Sequence, residues 1–191
     1  MLSIRKSMWE TNSSSCHQLI ISREDVMANS FLERLVIKHN EPLNGKYWRD
    51  INRIDDPQLK LNYIVESIRM FCETSADSYN PILDFFKSII KLKGMLEKTT
   101  TVEIDLESFT DDGIMKCPDI PEEIVKEIIE MIDSNDIDKL RRFLFSKDSC
   151  IATADQAFFP DGTDIPDPRS PLMNPKDDDV DAKFEITTSW Y

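Results

Sequence analysis

The amino-acid sequence predicts an α+β fold: an N-terminal β-hairpin, a cluster of four or five helices, and a few additional strands that include the C-terminal one. Three observations carry this reading. Residues near the start alternate at the period of a half-buried strand, long central stretches repeat their apolar residues at helical spacing, and residues 184–191 are rich in threonine and aromatics.

The elements follow in chain order. Leu2, Ile4 and Met8 fall on one face of an extended chain, with Ser3, Arg5, Ser7 and Trp9 on the other. Gln18 to Ile21 reads as the second arm of the hairpin. Glu10 to Ser15 reads as the turn, because Thr, Asn and Ser side chains bond to nearby backbone and compete with ladder formation. Ser22 followed three residues later by Asp25 resembles a capping box, which predicts a helix from about Arg23 to Lys38. After the turn-forming residues around Pro42 to Gly45, helical spacing runs through Leu61, Ile64, Ile68 and Phe71. It resumes through Ile82, Phe85, Phe86, Ile89, Leu92 and Leu96, behind Asn80 as N-cap and Pro81 at the first helical position. These two stripes are the expected centre of the core. Val102, Ile104 and Leu106 alternate with Thr101, Glu103 and Asp105, as in a strand with one solvated face. Pro121 opens a helix carrying Ile124, Ile128, Met131 and Ile132, and a shorter helix through Ile137, Leu140 and Leu144 follows Ser134 and Asn135. Ser149 to Ala154 reads as a further strand.

Three regions result. Residues 1–154 form the α+β globular domain. Residues 155–183 hold five prolines and eight acids, so they read as an extended acidic loop, proline being unable to donate to a ladder. Residues 184–191 read as a C-terminal strand returning to the domain.

Charge is distributed unevenly along the 191 residues, whose net is -13. Residues 1–100 hold 13 acids against 14 bases, residues 101–138 hold 13 against two, and residues 139–191 hold 10 against seven. The middle segment therefore carries most of the imbalance. No uncharged apolar run approaches the roughly 18 to 20 residues that a membrane helix needs, so no membrane partner is expected. Arg5, Lys6 and Glu10 interrupt any signal-peptide core, which implies an intracellular protein with Cys16, Cys72, Cys117 and Cys150 reduced.

Glu10-Thr11-Asn12-Ser13-Ser14-Ser15-Cys16-His17 is the most specific stretch. It resembles the motif ETNSSS, followed after one residue by His, at the start of small uncharacterised proteins of tailed phages and prophages. Phe143 to Asp155 is similar to a later block of the same group. Two departures stand out: Cys16 occupies a place where Ser or Thr is usual, and Ala154-Asp155-Gln156 replaces a Thr-Gly-Asn-Asp ending. The resemblance implies a phage origin and a location in the cytoplasm of the infected bacterial host; it carries no chemistry with it.

Thr11, Asn12, Ser13, Ser14, Ser15 and His17 are candidate ligand-binding residues, since hydroxyls and successive amides at a turn can cradle an anion. Alternation places Cys16 and His17 on opposite faces, so they cannot act as a thiol and base pair, whereas Ser15 and His17 share a face. No Gly-x-Ser-x-Gly elbow accompanies them, and no catalytic residue is assigned. The main alternative is a turn that these side chains merely cap. In the helix after Pro121, Glu123, Glu127 and Glu130 fall on one face, away from Ile124, Ile128 and Met131. They read either as a solvated helix face or as a surface for a protein partner with a basic patch. Duplex DNA carries about one charge per 1.7 Å, so this segment approaches the charge density of nucleic acid and is expected to be repelled by it. Asp177, Asp179 and Asp181 fit the first ligands of an EF-hand, but Ala182 stands where the sharp-turn glycine belongs and Thr188 where a bidentate Glu belongs, so no metal or cofactor is expected.

These readings converge on a non-enzymatic phage accessory protein that binds a host or phage protein through its acidic surface. A ligand-binding protein or enzyme using the hairpin tip is the alternative, and a virion-associated structural protein is a third.

Overall fold

The computed structural model describes residues 15–24, 26, 34–38, 53–75, 79–109, 120–155 and 184–190. Among them, four α-helices and six strands make an α+β fold. The strands are β1 (Ser15–Ser22), β2 (Leu35–Ile37), β3 (Arg53–Ile54), β4 (Val102–Ile104), β5 (Cys150–Asp155) and β6 (Phe184–Trp190). The helices are α1 (Pro57–Thr74), α2 (Pro81–Leu96), α3 (Glu122–Asp133) and α4 (Ile137–Phe145).

Four strands form an antiparallel sheet in the order β3-β5-β1-β6. Gln18 in β1 stands opposite both Ala152 of β5 and Thr188 of β6, so β1 is interior to the sheet and both its edges are taken. The C-terminal strand expected from the Thr-rich ending is β6. The predicted first arm of the hairpin and the tip at residues 11–14 lie outside the described residues. Leu19, Ile21 and Ile151 face the main core, while Ile20 joins Cys150 and Ala152 in a second small cluster, as side-chain alternation requires.

Leu35–Ile37 is a strand where the sequence predicts the end of a helix. This β-branched stretch pairs in parallel with Val102–Ile104, Leu35 opposite Val102 and Ile37 opposite Ile104, which makes a separate two-stranded sheet. Ser22 does not open a helix there. It ends β1, and its hydroxyl accepts from the Glu24 N–H at 3.2 Å.

Helix starts follow the sequence signals. Asp56, Asn80 and Asp136 each accept a hydrogen bond from the backbone N–H three residues on, at 2.9, 3.1 and 2.9 Å, and Pro57 and Pro81 occupy first-turn positions. α1 is buried without interruption from Lys60 to Ile68 and packs against α2, α3, α4 and β2. Fully burying each of Leu61, Ile64 and Ile68 contributes about 1.5–3 kcal/mol. α3 ends in a tight left-handed turn. Asn135 takes φ 56°, its N–H bonds to the Ile132 carbonyl, and the Asp136 N–H bonds to the Met131 carbonyl, both at 3.0 Å. That turn reverses the chain into α4.

The α2 stripe departs from the expected core. Ile89, Leu92, Met95 and Leu96 are buried, but Ile82 is exposed, and Phe85 and Phe86 are half-buried in an edge-to-face cluster with Phe109. Helical periodicity fixes which residues share a face but not how much of the helix length another element covers.

Candidate partner-binding surface

α3 presents two faces of opposite character. Ile124, Val125, Ile128, Ile129, Met131 and Ile132 are buried, and the other side carries Glu122, Glu123, Lys126, Glu127, Glu130 and Asp133. Glu122 and Glu123 lie in the first turn, where a carboxylate is favoured by the exposed N–H groups of the helix end. They stand in for a cap, since Pro121 offers none.

The three glutamates singled out by the sequence do not stand together as equals. Glu123 and Glu130 are exposed, whereas Glu127 is half-buried and bonded to Lys139 of α4 at 2.5 Å. Lys139 also reaches Glu185 of β6 at 2.9 Å, and Arg142 meets the other oxygen of Glu185 at 3.3 Å. One lysine thereby ties α3, α4 and β6 together. Burial alone would lower the Lys139 pKa, but hydrogen bonds to Glu127 and Glu185 outweigh it and hold the group above its usual value. Burial likewise would raise the Glu185 pKa, and Lys139 and Arg142 bring it below the usual carboxylate range.

Several other acids of residues 101–138 also have internal partners. Glu103 pairs with Arg34, Asp133 with Lys91 at 3.0 Å, and Glu122 with Lys126 at 2.6 Å. Asp136 caps α4, and Asp105 accepts from the Ser108 N–H at 3.3 Å. Among the described acids of this segment, Glu103, Asp105, Glu122, Asp133 and Asp136 thus belong to caps and exposed ion pairs, which individually stabilise little. Glu123, Glu130 and Asp138 are exposed.

Of the polar motif at the start, Ser15 and His17 belong to β1, opposite Asp155 and Thr153 respectively. Thr11, Asn12, Ser13 and Ser14 lie outside the described residues, as do Asp177, Asp179 and Asp181. Among the described residues, no group of three or more His, Cys, Asp or Glu side chains is placed to hold a metal ion. No helix among them is long and apolar enough to cross a membrane.

Several buried polar residues escaped the sequence reading, and two of them tie elements together. Lys60 is fully buried, and its Nζ donates to the carbonyl oxygens of Phe143, Leu144 and Ser146 at 3.1, 3.3 and 3.1 Å. It satisfies the unpaired carbonyls at the end of α4, where a cation is favoured, and sits 5.8 Å from the centre of the Phe143 ring. Burial pulls its pKa down to about 8. The signal was a lysine four residues before Ile64, inside an apolar stripe. Ser149 is the second: its hydroxyl donates to the Arg142 carbonyl at 2.8 Å and accepts from the Ser22 N–H at 2.9 Å, joining α4 to the end of β1.

These polar residues are therefore occupied with holding elements together, while Glu122, Glu123, Glu130 and Asp133 of α3 lie on the surface. No protein-family model, curated protein or solved structure matches the chain.

Proposed function

We propose that the chain is a non-enzymatic phage accessory protein, working in the cytoplasm of an infected bacterium, that docks a basic protein partner on the outer face of α3. The observation that supports this is the exposure of Glu123 and Glu130 on the side of α3 opposite its buried isoleucines. Glu122 lies next to Glu123 in the first turn of α3 and already pairs with Lys126. Glu127 is not part of the contact, because it holds Lys139. Charge of this kind steers encounter and sets salt sensitivity more than it sets final affinity.

The test is charge reversal with Glu127 left intact. Partners captured from infected-cell lysate by the wild type should be released by raised salt, and Glu123→Lys with Glu130→Lys should lower capture by about tenfold or more. The variant should melt with the wild type. Equal capture by both proteins rejects the reading, and recovery of the protein as a stoichiometric part of purified particles would favour a structural role in the virion.

A further inference from the structure

We draw no further inference here: the strongest candidate, the exposed apolar face that Ile82, Leu83 and Ile90 form on α2, carries nothing because nothing among the described residues shows what covers it.

Discussion

Gln58 holds the backbone of Val36 as a neighbouring strand would. Its Nε2 donates to the Val36 carbonyl at 2.7 Å, and its Oε1 accepts from the Val36 N–H at 2.9 Å. The opposite edge of β2 is taken by β4, with the Leu35 N–H bonding to the Thr101 carbonyl at 3.0 Å and the Asp105 N–H to the Ile37 carbonyl at 2.9 Å. A side chain from α1 thus closes a strand edge that would otherwise invite pairing. Gln58→Leu leaves both Val36 groups without this partner and should cost about 1–3 kcal/mol in urea unfolding. Amides of β2 and β4 should exchange first in the variant. Unchanged protection there would reject the edge-closing role.

Lys139 joins α3, α4 and β6 through Glu127 and Glu185, and its removal should be felt in all three. Lys139→Met should destabilise by about 1–3 kcal/mol, because two partly buried carboxylates lose their donor. The pH dependence has two limbs. The Glu185 contribution is present above its ordinary value of 4.5 and is lost as pH falls through the lower folded value. The Lys139 contribution is present below 10.5 and is lost as pH rises through the higher folded value. Both limbs should flatten in Lys139→Met, and a profile that keeps them assigns the stability to other groups.

Lys60 and Cys150 oppose each other in alkali. Burial holds Lys60 at about 8 against an ordinary 10.5, and holds the Cys150 thiol up at about 11 against 9.0. From about pH 8 the folded chain sheds the Lys60 proton that the unfolded chain keeps, so stability rises with pH. From about pH 9 the unfolded chain sheds the Cys150 proton that the folded chain keeps, so stability falls; Cys72, raised mainly by burial, acts in the same sense. Guanidinium unfolding should therefore show a climb between pH 8 and 9 that levels off above it. Lys60→Met should abolish the climb, and Cys150→Ala should extend it. A wild type without the climb would mean that Lys60 keeps its proton and its three carbonyl partners throughout.

The legible part of the fold was local. Asn80 and Pro81 announced α2, Ser134-Asn135 and the amphipathic spacing announced α4, and the alternating Val102 to Ile104 announced β4, because caps and periodicity act within a few residues. What stayed hidden depends on partners far along the chain. Leu35–Ile37 reads as the tail of a helix until Val102–Ile104 is known to lie beside it. Glu127 reads as surface charge until Lys139 arrives from the next helix. Ile82 carries the spacing of a core residue, and the sequence has no mark to show that no other element of the described chain covers it.

The position of β1 bears on how the chain is made. Its neighbours, β5 and β6, lie more than a hundred residues further along, so a ribosome releases Leu19-Ile20-Ile21 long before it has synthesised either of them. During that interval a strongly apolar strand waits with two open edges, the condition under which nascent chains aggregate. The same delay makes closing the sheet a late, long-range event and slows folding. Any fragment that stops before Cys150 leaves the strand stranded for good, and should be recovered from inclusion bodies.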